Sequence, residues 1–183
     1  MATINRKLNL VLTYPREKGN IYVHSTAVSR QVFESFYRVI SRAFSAIYTE
    51  TGGIYAGPRI AALELKRAAT ELGLQEADIQ HGLIAEIQRL TSVVMLTDKG
   101  WETIPYHEAV KKMLDEDEAS EVENALAFFT VVSRMHRKQD LENVLGVMTN
   151  LWGAQIVSLN STEFAASLQT SMTADNSGAK VAA

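Results

Sequence analysis

The residues best suited to chemistry in this chain of 183 residues are its histidines, together with one adjacent histidine–glutamate pair. No two of the four histidines have the i, i+4 spacing of a helical zinc site, and the chain has no cysteine that could complete one. His107 and Glu108 are the residue types of acid–base catalysis. Adjacent residues on a helix diverge by about 100°, so the pair is not expected to converge on one proton. The histidines, taken in chain order, are His24, His81, His107 and His136.

Two further motifs resemble ligand-binding loops but lack the groups that such loops need. Gly52–Gly57 has the glycine spacing of a phosphate loop, yet Pro58-Arg59 stands where Lys followed by Ser or Thr is required. The acidic run Asp115–Glu118 lacks the alternating Asp/Asn ligands and central glycine of a calcium loop. We interpret the first as a helix–helix linker and the second as a helix start that matches the helix dipole. The sequence therefore predicts no catalytic residue, no cofactor and no metal, and the protein is expected not to be an enzyme.

Composition limits the class of protein. A hydrophobic share of 46% and a charged share of 21% are typical of a soluble globular protein, and the length suits one domain whose core needs no disulfide. The net charge of −3 argues against broad nucleic-acid binding. No apolar stretch reaches the roughly 18 residues that span a membrane, and the N-terminus does not read as a signal peptide. We expect an intracellular protein with neither nucleic acid nor membrane as partner.

The hydrophobic pattern predicts a mainly α fold. Lys7–Thr13 and Ile21–His24 flank a turn-forming segment and predict a small N-terminal β-hairpin. Ser92–Leu96 fits either the continuation of a helix or a short extended segment. The prediction is a single helical domain of about six helices over residues 1–168, followed by a disordered, flexible tail over residues 169–183. The predicted helices cover about 29–50, 58–72, 75–90, 105–114, 115–138 and 140–152, with a last short helix at 161–168.

The helix predicted over Asp115–Lys138 is more apolar than an ordinary surface helix. Acidic residues begin it and basic residues end it, as the helix dipole favours. Its apolar side chains sweep an arc of roughly 220°, which is wider than the stripe of a surface helix. It must be covered on two sides, either by its own domain or by another protein. The aromatic flank of the helix at 29–50 fits the edge of a core or a set of partner anchors. The predicted protein-binding residues, for a partner or for self-association, are Phe44, Phe128 and Phe129.

Several blocks of sequence occur in a familiar order. Their arrangement resembles that of tail assembly chaperones, a family encoded in the tail modules of long-tailed, siphovirus-like bacteriophages. The likeness extends over most of the chain up to Leu168 and includes no catalytic motif. The blocks are Arg6–Leu10 (RKLNL), Ile21–Ser25 (IYVHS), Ala56–Arg59 (AGPR), Glu86–Thr91 (EIQRLT), Gly100–Pro105 (GWETIP), Glu121–Thr130 (EVENALAFFT), Leu151–Gln155 (LWGAQ) and Ser158–Leu168 (SLNSTEFAASL).

The resemblance implies a non-enzymatic helper in the host cytoplasm. Members of the family coat the tape measure protein while the tail tube protein polymerises around it, and they are absent from the finished virion. Many exist as a short form and a frameshifted longer form, and this chain matches the short one. Two other classes of function stay open. One is a structural virion protein of the tail or neck. The other is a small-ligand-binding regulator or enzyme on a helical core, which needs a deep pocket with convergent polar groups.

Overall fold

The structure, a computed structural model, describes residues 8–17, 19–49, 53, 55–136, 141, 144, 146, 149–150 and 153–168. These residues form an α+β fold in which an antiparallel sheet carries the main group of helices on one face and a short helix on the other. The strands are β1 (Asn9–Arg16), β2 (Gly19–Thr26), β3 (Thr91–Thr97), β4 (Gly100–Pro105) and β5 (Gln155–Val157). The helices are α1 (Arg30–Ser35), α2 (Tyr37–Thr49), α3 (Gly57–Glu71), α4 (Glu76–Ile79), a π-helical segment (Gln80–Ile84), α5 (Ala85–Arg89), α6 (Tyr106–Met113) and α7 (Glu116–Met135). Residues 161–168 are also helical and are called the C-terminal helix below.

The prediction of a mainly α fold with only a small hairpin is wrong, because the hairpin is the centre of a five-stranded sheet. The strand order is β4-β3-β2-β1-β5, and every neighbouring pair is antiparallel. A hairpin of two strands alone is only marginally stable in water. Here β3 pairs with β2 and β5 pairs with β1, so later strands of the same chain extend the hairpin into a sheet. Ser92–Leu96, whose conformation the sequence left open, lies within β3. The residues directly before α6 form β4. The three residues of β5 are too few to show a hydrophobic pattern in the sequence.

Alternation along the strands gives the sheet two apolar faces. In β1, Leu10 and Leu12 contact the main core beneath the helices, while Val11 points to the opposite, outer face. In β3, Val93 and Val94 divide in the same way. The predicted hairpin itself is confirmed, with Asn9 opposite Thr26 and Arg16 opposite Gly19. Because β3 carries apolar residues for both faces, its pattern was a weak signal for a strand.

Helix α7 lies at the centre of the main core. It begins with a capping box, in which the backbone N–H of Glu118 donates to Asp115 Oδ1 at 2.8 Å and the Glu118 side chain accepts from the backbone of Asp115. Helix α3 packs along it, and α2 and β1 contact it as well. The wide apolar face is therefore covered on two sides by its own domain, which decides between the alternatives that the sequence left open.

Two of the predicted helices contain an interruption. The helix expected over 29–50 is capped by Ser29, as predicted, and breaks at Phe36 between α1 and α2. The helix expected over 75–90 widens into the π-helical segment in its middle. Gly82 lies in that segment against the ring of Phe36, where a Cβ would come within 2.5 Å of Phe36 Cζ. The two interruptions thus pack against each other.

The predictions for the end of the chain are covered only in part. The tail at 169–183 lies outside the described residues, as does much of the helix predicted at 140–152, of which residues 141, 144, 146, 149 and 150 are helical. The short helix predicted at 161–168 is confirmed. Among the described helices, none combines the length and the apolar character that crossing a membrane requires.

Candidate protein-binding surface

The outer face of the sheet carries a second apolar cluster, separate from the main core. Its strand residues, called here the outer sheet face, are Val11, Tyr22, Val94, Trp101 and Val157. The C-terminal helix lies on this face and contributes Phe164, Ala165 and Leu168. Val11 and Val94 are fully buried, and Phe164 and Ala165 are each 6% exposed. The cluster shares no residue with the main core.

Aromatic contacts hold the C-terminal helix on the sheet. The ring of Phe164 meets that of Tyr22 edge to face with centroids 5.3 Å apart, and Tyr22 lies 5.6 Å from Trp101. A helix shorter than roughly 12 residues is marginal in water by itself. Burying one phenylalanine contributes about 1.5–3 kcal/mol, so docking on the sheet is what stabilises these two turns.

Polar contacts position the residues that lead into the C-terminal helix. The carbonyl oxygen of Leu159 accepts a hydrogen bond from Asn9 Nδ2 at 2.8 Å and lies 2.9 Å from His24 Nε2. Since a carbonyl only accepts, Nε2 carries the hydrogen of a neutral His24. Asn160 and Glu163 then form a capping box, with both side-chain-to-backbone hydrogen bonds at 2.9 Å.

His24 is buried where it supports the loop before the C-terminal helix. It is 2% exposed, and its ring centroid lies 6.1 Å from that of Phe164. Burial is the largest effect on this side chain and lowers the pKa of His24 from its usual value of 6.5, because the low-dielectric surroundings disfavour the imidazolium. The backbone carbonyl of Leu159 acts in the opposite direction, since a cationic ring also donates to it.

The structure places Phe128 and Phe129 in the main core, not on the surface. They are 0% and 1% exposed, so they offer no surface to a partner in this conformation. The reason is the close approach of α3, where Gly57 has no side chain and a Cβ there would overlap the Phe128 ring. Sequence periodicity measured the width of the apolar face correctly but could not say that the same chain covers it.

Phe44, the third predicted binding residue, is half-buried on α2. Its ring lies 4.4 Å from that of Tyr48 and 5.2 Å from that of His136, which follows the end of α7. Tyr48 Oη is 3.0 Å from His136 Nε2, and burial raises the pKa of Tyr48. This cluster ties α2 to the end of α7, and a partner contact at the exposed part of Phe44 stays a prediction.

Six large apolar side chains in the described part of the chain are exposed. Tyr37 belongs to the predicted aromatic flank, and the apolar spacing of the next helix had placed Leu63 and Leu72 on its apolar side. The six belong to neither apolar cluster, and single exposed apolar residues are common on soluble proteins. Leu63 and Tyr55 are the most exposed, at 62% and 70%. The set is Tyr37, Tyr55, Leu63, Leu72, Leu74 and Leu159.

Two open grooves flank the start of α7, and both are lined mainly by polar side chains. The larger, of about 470 Å³, lies between α6 and α7 and includes His107, Lys111 and Glu123. The smaller, of about 380 Å³, is lined largely by the acidic first turns of α7. His107 Nε2 lies 3.8 Å from Glu108 Oε1, and both side chains are exposed. Within the described residues, no three His, Asp or Glu side chains are grouped so as to hold a metal ion.

Comparisons of the chain with protein-family models, with curated proteins and with solved structures found no match. The surface with the most developed binding geometry is the outer sheet face, because it is apolar, preformed and already in contact with a helix. Sequence reasoning missed it. The signal that could have found it is the unbroken apolar run in β1 and in β3, because consecutive strand residues point to opposite faces and Val11 and Val94 therefore lie opposite the residues that enter the main core.

Proposed function

We propose that this chain is a non-enzymatic assembly protein of the tail assembly chaperone type, which binds the tape measure protein of a long-tailed bacteriophage in the host cytoplasm and aids polymerisation of the tail tube. The order of the sequence blocks supports this family. The observation that carries the proposal is the outer sheet face, which holds an amphipathic helix through an aromatic, a small and a leucine side chain. A tape measure protein is a long helical chain, so it presents many helices of this kind.

The architecture also suits a protein that must stay soluble between binding events. An uncovered apolar sheet face promotes aggregation, and here the C-terminal helix shields it. Within the part of the chain that the structure describes, the main core packs its large apolar side chains against elements of the same chain. A chaperone needs both properties.

Co-expression tests the proposal directly. The tape measure protein from the phage that carries this gene is expressed in bacteria alone, with this chain, or with the tail tube protein. When the two are expressed together, we expect the tape measure protein to remain soluble and to co-purify with this chain. We also expect mass spectrometry of purified virions to find none of this chain. Stoichiometric presence in virions would make the chain a structural subunit of the tail or neck instead. Failure to co-purify under conditions where both proteins are soluble would remove the chaperone assignment.

A further inference from the structure

We infer that the C-terminal helix covers the binding site for the client, which is the outer sheet face. A helix of the tape measure protein binds this face by displacing the C-terminal helix. This inference rests on the proposed function and adds the location and the chemistry of binding. The occupant defines the pattern that the site accepts. It is an amphipathic helix with an aromatic residue, a small residue directly after it and a leucine one turn later, as in Phe164, Ala165 and Leu168.

The first argument is that the C-terminal helix can leave without opening the main core. The outer cluster and the main core have no residue in common, so displacement exposes one sheet face and leaves the packing around α7 unchanged. The segment before the helix is held separately, by Ala154 and Ile156 in the main core and by the hydrogen bonds to the Leu159 carbonyl oxygen, so the helix can leave while that segment stays in place. β5 forms three residue pairs with β1, and Gly153 precedes it with a positive φ of +60°. The C-terminal helix itself buries few side chains, Phe164 and Ala165, and segments with few buried contacts are the ones that open locally.

The second argument is that the site is preformed and stays dry only if something covers it. Val11 and Val94 are fully buried in the centre of the face, and the rings of Tyr22 and Trp101 lie beside them. Leaving this surface in water is unfavourable, so the helix of a client and the C-terminal helix compete for it. A competing segment of the same chain lowers the apparent affinity for a client by the fraction of time that the site is free.

The third argument is that the contacts are suited to exchange. Side chains of the C-terminal helix provide the apolar contacts to the sheet. The hydrogen bonds from Asn9 and His24, in contrast, reach the backbone carbonyl of Leu159 before the helix begins, so they do not depend on a side chain of the occupant. The face therefore selects shape and apolar pattern, which any amphipathic helix of this type supplies.

The test uses the full-length chain and a fluorescent peptide with the sequence of residues 158–168. Phe164→Asp places a charge in the buried contact and releases the helix from its site. Thr162→Asp is the matched control, because it adds the same charge two residues earlier at an exposed position. We expect the peptide to bind Phe164→Asp at least about tenfold more tightly than it binds the wild type or Thr162→Asp, as measured by fluorescence anisotropy. A peptide that itself carries Phe164→Asp should not bind.

Circular dichroism and thermal unfolding check that Phe164→Asp keeps the main core, and Leu168→Asp, at a partly buried position, serves as a second releasing variant. Equal binding of the peptide to all variants, or to none of the folded ones, would overturn the inference. The tape measure protein then separates the two proposals. If it co-purifies with the wild type but neither releasing variant binds it more tightly, the displacement mechanism is wrong and the proposed function stands. If it co-purifies with no variant, the proposed function fails, even where the peptide binds.

Discussion

The ring of Phe164 contacts the ring of Tyr22 edge to face, with their centroids 5.3 Å apart. This contact joins the last described helix to the second strand of the chain, across the outer face of the sheet. With the helices of the main core on the opposite face, the C-terminal helix leaves the hairpin in the middle of a sheet that is covered on both faces. The proposed client site is the surface that this contact occupies.

Replacing Phe129 with aspartate should unfold the domain. The side chain is 1% exposed and belongs to the main core, so the carboxylate would be buried without a partner. We expect a loss of at least about 4 kcal/mol in the free energy of unfolding, or no cooperative transition at all. Urea denaturation followed by circular dichroism measures it. Leu63→Asp is the control, because Leu63 is 62% exposed on α3 and its replacement should change stability by less than about 1 kcal/mol. A folded Phe129→Asp variant that merely binds partners less well would restore Phe129 as a surface residue.

Adding one methyl group at Gly57 should destabilise the packing of α3 on α7. A Cβ there would overlap the Phe128 ring and lie 3.1 Å from Ile47 Cγ2, and both neighbours are fully buried. Overpacking of this kind costs about 1–3 kcal/mol, which the midpoint of urea denaturation measures. Gly146→Ala is the matched control, since Gly146 is helical and an added methyl group would meet nothing within 4 Å. That variant should be equally stable or gain up to about 1 kcal/mol, and an equal loss in both would contradict the packing argument.

His24 should make the stability of the fold depend on pH. Its pKa is lowered in the folded state, so on acidification the unfolded chain takes up the proton first. The stabilisation from neutral His24 is complete above the unfolded value of 6.5 and is lost as the pH falls from there toward the lower folded pKa. Between pH 7.5 and 5.5 the wild type should lose more stability than His24→Gln, as measured by thermal unfolding. Parallel pH profiles for the two proteins would show that His24 is not the responsible group.

The ion pair between Arg16 and Glu118 should couple the end of β1 to the start of α7. Arg16 Nη1 donates to Glu118 Oε1 at 2.9 Å, Nη2 donates to Oε2, and Nη2 also donates to the Met113 carbonyl oxygen at 3.0 Å. The two side chains are 32% and 22% exposed, so water screens the pair only in part. A double-mutant cycle with Arg16→Ala and Glu118→Gln should give a coupling energy of about 1–2 kcal/mol.

The pair Arg30–Glu34 on α1 serves as the comparison for that cycle. It is as short, at 2.7 Å, but its side chains are 87% and 58% exposed. The same measurement should find no coupling above experimental error there, because solvent screens the charges. Equal coupling in the two pairs would mean that burial contributes nothing to the Arg16–Glu118 interaction.

Local signals in the sequence predicted the elements that a few neighbouring residues specify. Ser29 and the acidic residues Asp115 to Glu118 mark helix starts, and the structure confirms the cap at each. The hairpin was likewise readable from its turn and its alternation. β3 was ambiguous, because its seven residues follow a helical run directly and carry apolar residues for both faces of the sheet. β5 has three residues and exists only because β1 pairs with it.

What the sequence by itself determined was the amount of apolar surface and its local geometry, including the wide face of α7. Caps, turns and helical spacing act over a few residues, so one sequence suffices to find them. The tertiary structure decided what covers that surface. Phe128 and Phe129 lie in the main core, where the Phe128 ring meets Gly57 of α3, while Val11 and Val94 share a cluster with the C-terminal helix. Burial depends on segments that are far apart in the chain, and their pairing is a property of the whole fold.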